Sequence, residues 1–353
     1  MPLKSLNERD GIFYRYSMLK KETDIRLRKD RIGSYLKKYM EEFVFQEFSD
    51  SYMEKAGVTD LMKGVQIPLR KEDVEGFEGG SGIKAFYIAD NMAKIMGIDP
   101  HFRYTEHYVA FLLKMFDYKI FEGMLEKGRA LAEKGEYDSA CIYFRSTLCM
   151  NPTYLYGMYS YAKVCRAMYL ESGDEAYIGR FKAEAMDYFE LITEMHPKFA
   201  EAYYYLGYAY LNMGLYSKAQ ITWKEFINLT QDANDRQEIC ERLQQIKGPV
   251  EIEHGYNAVL AGRYQEGIAA LEPYLESDFK TWWPLFYFVG VCYARTGRVN
   301  DAIGSFKRVL SFNGSHLESM EELVNLYAIN QDVTNETKYR KKIELIRGNL
   351  SEE

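Results

Sequence analysis

The residues of this chain best suited to chemistry are its five histidines, five cysteines and abundant carboxylates. His101, His107, His196, His254 and His316 form no H-E-x-x-H pair, and none lies beside a cysteine at metal-ligand spacing. Cys141, Cys149, Cys165, Cys240 and Cys292 form no C-x-x-C pair. All five fall inside helical patterns, where a free thiol behaves as a small buried hydrophobe. There is no Ser/His/Asp arrangement and no G-x-S-x-G elbow. With 52 Asp+Glu in the chain, close carboxylate pairs arise without any catalytic demand. The expectation is a protein that is not an enzyme, with no catalytic residue, cofactor or metal to assign.

Two segments invite an ionic ligand. Gly79-Gly80-Ser81-Gly82-Ile83-Lys84 precedes a helical pattern, and bare N–H groups at a helix start attract anions. It lacks the G-x-x-x-x-G-K-[ST] spacing and reads as a linker in the loop Glu75–Gly82. Between Lys20 and Lys38, eight basic residues (Lys20, Lys21, Arg26, Arg28, Lys29, Arg31, Lys37, Lys38) stand against Glu22, Asp24 and Asp30. No helix-turn-helix accompanies them, and Tyr and Leu interleave at helical spacing. The segment reads as a solvated helix face.

The elements that must position any site come from a chain of 353 residues, 47% hydrophobic and 27% charged, enough to bury a core. The net charge of −7 does not favour nucleic acid as a partner. Lys4, Arg9, Asp10, Arg15 and Lys20 interrupt the first 30 residues, leaving no signal-peptide core. The longest uncharged run, 14 residues between Lys280 and Arg295, is too short to cross a bilayer. Free cysteines and no membrane segment give a cytoplasmic expectation.

Internal periodicity is the strongest signal. Tyr203-x-x-Leu206-Gly207-x-x-Tyr210 is followed by Gly214, Tyr216, Ala219 and Trp223. Phe286-x-x-Val289-Gly290-x-x-Tyr293 is followed at the same offsets by Gly297, Val299, Ala302 and Phe306. Gly128, Gly135, Tyr137, Ala140, Phe144 and Pro152 repeat the register, as do Gly255, Gly262, Tyr264, Gly267 and Leu271. A degenerate copy holds Ala162, Cys165, Ala185, Phe189 and Pro197, and a last one begins near Leu317 with Tyr327. The physical reading is two helices that approach closely at small residues, with large residues filling the wedge to the next pair. The glycine-equivalent positions 128, 162, 207, 255, 290 and 324 step by 34, 45, 48, 35 and 34. The two longer steps imply an 11-residue insertion lengthening the turn near 171–181 and a 14-residue one adding helix within 231–247.

The pattern resembles the tetratricopeptide repeat (TPR), W-x2-L-G-x2-Y…A-x3-F…P. The resemblance implies an all-α fold: a TPR α-solenoid, a right-handed superhelix of antiparallel helix pairs, with about six repeats over 121–350. In such proteins ligands lie in the concave groove lined by the first helix of each repeat, helix A. Carried onto this sequence, its inward positions include Glu122, Glu133, Glu201 and Asn325, and the candidates for ligand contact among them are Arg129, Tyr156, Tyr159, Lys163, Arg166, Tyr204, Tyr208, Asn212, Tyr256, Tyr287 and Arg295. The packing consensus does not demand Tyr there. Tyr offers rigid contact area with a hydrogen-bonding tip, which suits peptide recognition. Lys163 and Arg166, one turn apart, would grip a carboxylate. They depart from the Lys/Asn/Arg clamp of chaperone-binding TPR proteins.

Residues 1–120 show no repeat and resemble no family. Ile32, Tyr35, Leu36, Tyr39, Met40, Phe43 and Val44 predict an amphipathic helix running towards Ala56. Lys84–Met96 reads as a second helix stopped by Gly97 and Pro100, and Thr105 as the cap of a third. The expected function is a scaffold or adaptor binding a protein or peptide segment in the Tyr-lined groove. The alternative is a ligand- or peptide-responsive regulator with the N-terminal helices as effector, the layout of bacterial TPR regulators.

Overall fold

The computed structural model describes residues 24–74, 85–117 and 119–350. The Gly79–Lys84 segment, its loop, and Lys20 and Lys21 lie outside the described residues. Eighteen α-helices and one two-stranded sheet occur among the described residues, and no helix there is long and apolar enough to cross a membrane. The protein is all-α, and its repeats are stacked helix pairs.

The first compact unit runs to Ala209. It opens with α1 (Gly33–Leu36), a 3-10 turn, β1 (Phe43–Glu47), α2 (Asp50–Ala56), α3 (Thr59–Met62) and β2 (Gln66–Arg70). The single helix expected from Ile32 to Val44 is therefore broken. Ile32 and Leu36 use the helical spacing and are fully buried, but the Phe43-Val44-Phe45 run prefers extended backbone. It pairs antiparallel with β2, Phe45 opposite Pro68. A two-stranded ribbon tolerates that proline because both strands are edges. Next come α4 (Ala85–Ile98) and α5 (Thr105–Phe116), which close this region. Gly97 does not stop α4. It lets α4 lie against α7, where a Cβ would stand 1.9 Å from the Ile142 carbonyl oxygen. Thr105 does not cap α5; Tyr104 holds the cap position and no side chain bonds there.

The helix pairs of this unit are α6 (Lys119–Glu133) with α7 (Tyr137–Met150), and α8 (Leu155–Glu171) with α9 (Glu175–Met195). The extra residues near 171–181 do not lengthen a turn. They extend α8 to 17 residues and α9 to 21, leaving a connection at Ser172–Asp174. Asp174 accepts from Tyr177 N at 2.9 Å and starts α9. The unit ends inside α10 (Ala200–Leu211).

The second unit, from Tyr210, holds α11 (Tyr216–Leu229), α12 (Ala233–Gln245), α13 (Lys247–Leu260), α14 (Tyr264–Leu271), α15 (Trp283–Arg295), α16 (Val299–Phe312), α17 (Leu317–Ile329) and α18 (Val333–Leu350). α13/α14, α15/α16 and α17/α18 are helix pairs, and α12 is an additional helix ahead of them. One packing rule governs both units. A Cβ on Gly128 would meet Phe144 at 2.6 Å, one on Gly255 would meet Leu271 at 2.6 Å, and one on Gly290 would meet Phe306 at 2.9 Å. Gly135, Gly214, Gly262 and Gly297 follow their helices at φ 78°, 72°, 75° and 80°, the left-handed turn that glycine adopts cheaply. Gln331 takes the same place after α17 at φ 58°.

Candidate recognition surfaces on the two units

In the first unit, rings from α6, α8 and α10 form one chain of contacts. Phe121 meets Tyr154 at 5.2 Å between centroids, Tyr154 meets Tyr156 at 6.0 Å, and Tyr156 meets Phe199 at 6.5 Å. Phe199 lies 5.0 Å from Tyr159, which touches Tyr205 at 6.1 Å. Tyr205 touches Tyr204 at 5.1 Å, and Tyr204 reaches Tyr208 at 5.2 Å. Three cations lie over this ladder: Arg129 over Tyr156 at 5.9 Å, Lys163 over Tyr159 at 5.4 Å and over Tyr205 at 5.8 Å, and Arg166 over Tyr205 at 5.3 Å. Arg129 also bonds Glu126 at 2.7 Å. Lys163 and Arg166 make no ion pair among the described residues. Seven of the expected groove residues are thus brought together on helix-A faces.

The basic N-terminal segment finds its acids within the same unit. Arg28 pairs with Asp187 at 2.9 Å and stacks 4.7 Å over Tyr188. Arg31 pairs with Asp187 at 2.7 Å and with Glu184 at 3.3 Å, and Lys38 with Asp138 at 3.1 Å. A solvated helix face is therefore not what these charges form. Asp30 pairs at 2.6 Å with Arg145, which is completely buried on α7. Burial pushes the Asp30 carboxyl up, but Arg145 and the N–H groups of Gly33 and Ile32 outweigh it and hold it below the usual carboxylate range. Glu184 goes the other way. It accepts from Tyr161 at 3.1 Å, and burial raises it despite Arg28, Arg145 and Arg31. Asp30, Asp99 and His101 bring one ligand atom each within 4.8 Å of one another. Asp30 is already satisfied by Arg145 and the backbone, so internal pairing accounts for the cluster.

The second unit has a different feature, a cavity of about 870 Å3 between the start of α11, α13, α15 and the connection before α15. Tyr216, Tyr256, Phe279, Trp282 and Phe288 supply its rings, and Glu253 and Asp278 its charges. Of the expected residues, only Tyr256 lines it. Tyr287 packs instead against Phe288, Phe306 and His316, and Arg295 is held by Glu322 at 2.8 Å. Asn212 is exposed in the turn after α10.

Tetratricopeptide-repeat family models match residues 188–221, which include Gly207 and Gly214, and 252–316, which run from within α13 to just past the end of α16. The chain carries tetratricopeptide repeats. No curated protein sequence matches it. Similar solved structures include residues 41 to the end of MamA from Desulfovibrio magneticus RS-1, 14% identical over 53% of this chain and 96% of that one, TM-score 0.32. Pseudomonas aeruginosa PilF is 12% identical over 66% of this chain and 97% of its own, TM-score 0.33. YrrB, a TPR protein with an unusual peptide-binding site, is 15% identical over 58% and 92%, TM-score 0.32.

The TPR positions alone miss four members of the ladder, among them Phe121 on α6. Tyr205 is its hub, stacked on Phe189 at 5.4 Å and receiving both Lys163 and Arg166. Phe199 and Tyr154 lie just outside helices α10 and α8, where the TPR consensus assigns no ligand contact. The sequence signal available was the Tyr203-Tyr204-Tyr205 run. Cys240 is exposed rather than buried, whereas the other four cysteines are buried.

Proposed function

We propose that this TPR protein is an interaction scaffold whose first unit binds an extended acidic protein segment along the aromatic ladder of α6, α8 and α10. Its repeats make it a protein–protein interaction scaffold in the broad sense; the ladder supplies the finer reading. The observation that carries it is the placement of Lys163 and Arg166 on rings, with no carboxylate paired to them among the described residues, on one helix face. Rings give contact area at low entropic cost, and cations poised on them gain from an incoming carboxylate. Affinity capture from native lysate tests this. A Tyr159→Ala/Arg166→Ala/Tyr208→Ala variant loses partners that the unaltered chain retains, and a soluble polyglutamate competes for the same partners. Partners held equally by both proteins contradict the reading.

One observation favours a regulator as the second reading. α8 carries Tyr159 and Lys163, and its Tyr161 bonds Glu184, which also receives Arg31 of the N-terminal segment. A ligand on the ladder and the segment 24–36 are therefore linked through Tyr161 on α8 and Glu184 on α9. On that reading, partner binding changes amide exchange at residues 24–36; unchanged exchange there leaves the plain scaffold.

A further inference from the structure

We propose that the cavity of the second unit is a separate binding site for a cationic side chain, an arginine carried on an apolar peptide segment. Three features converge on that chemistry. The lining includes Glu253 and Asp278 and no basic residue. Five rings, Tyr216, Tyr256, Phe279, Trp282 and Phe288, share the same walls, with Tyr256 and Phe288 set edge to face at 4.2 Å. Aromatic faces beside carboxylates are the arrangement that receives a guanidinium, through the ring quadrupole and a charge-assisted hydrogen bond together. The volume of about 870 Å3 exceeds a single side chain and falls in the range of ligand pockets. A peptide with apolar flanks therefore fits it better than a bare ion.

The site is built, not incidental. The connection before α15 packs close to Gly248 on α13, where a Cβ would meet Tyr274 at 3.3 Å and Phe279 at 3.4 Å. Tyr274 donates to Glu251, and Ser277 Oγ accepts from Phe279 N at 3.2 Å, fixing that connection. Glu253 is held by Ser217 N at 2.8 Å, one oxygen at the first turn of α11. Asp278 makes no ion pair among the described residues, and Trp282 is 45% exposed at the mouth. The preference is opposite in sign to that of the ladder, so the two sites are separable.

Isothermal titration of the full chain tests the proposal, with acetylated, amidated Leu-Arg-Leu and its neutral counterpart Leu-Gln-Leu as probes. The arginine peptide is expected to bind about tenfold more tightly. Trp282→Ala, whose side chain lies outside the core, weakens it about tenfold, and Asp278→Asn brings the two peptides within about threefold of one another. Lys163→Gln/Arg166→Gln leaves both titrations unchanged. Equal affinity for the two peptides overturns the proposal, as does arginine preference surviving in both cavity variants. Tetramethylammonium binding as tightly as the arginine peptide overturns the peptide assignment in favour of a small cation.

Discussion

In the first unit, the rings come from α6, α8, α10 and the turns that lead into α8 and α10, and Arg129, Lys163 and Arg166 lie over them. In the second, Phe279 and Trp282 come from a connection between helix pairs, and the charges beside the rings are Glu253 and Asp278. The same repeat chemistry therefore carries two aromatic surfaces of opposite charge. Both surfaces draw rings from the repeated helices and from the segments between them; what differs is the charge set beside the rings. The buried polar groups differ as well. The first unit buries an ionic cluster of Asp30, Arg145 and Glu184, while the core of the second is apolar and aromatic, with Phe306, Leu323 and Val289 at its centre.

Substituting Asp30→Asn breaks that contrast most strongly. It leaves Arg145 buried without its carboxylate, at a cost of about 3–5 kcal/mol, and amide exchange should quicken in the first unit while the second keeps its protection. The sign with pH follows from the depressed Asp30 carboxyl. Its stabilisation is complete above the unfolded value near 3.8 and is lost as pH falls through the lower folded value. The acid limb of an unfolding profile should therefore be shallower in Asp30→Asn. Gly290→Ala attacks the other unit. Its Cβ would stand 2.9 Å from fully buried Phe306, which cannot retreat, so urea denaturation should show a loss of about 1–3 kcal/mol confined to the second unit.

Lys163→Gln/Arg166→Gln sharpens the comparison without touching either core. Capture of an acidic partner should fall about tenfold and lose its salt dependence, with the melting temperature unchanged. The smallest effect is a gain. Gln331 occupies the left-handed turn position that glycine holds after other helices, so Gln331→Gly should stabilise the second unit by up to about 1 kcal/mol, read by thermal denaturation.

The repeats were legible because helix pairing needs a small residue against a large one at fixed separation, and Gly128 with Phe144 and Gly290 with Phe306 meet as that rule demands. The strand β1 was not legible, because Ile32 and Leu36 obey helical spacing until Phe43 finds a partner in residues 66–70. The pairing of Arg28 and Arg31 with α9 depends on contacts more than 150 residues away, which no local pattern encodes. Half of the ladder's rings followed from helix-A positions; Tyr205 did not, since its role comes from stacking on Phe189. The cavity was hidden because Asp278, Phe279 and Trp282 lie in a connection whose fold no repeat position specifies.

The most direct test of the account is amide hydrogen exchange on the full chain, alone and bound to a partner captured through it. The account predicts new protection on α8 and on residues 200–208, lost when Lys163 and Arg166 are replaced by glutamine. Protection confined to α7 and α9, or to residues 247–288, would contradict it.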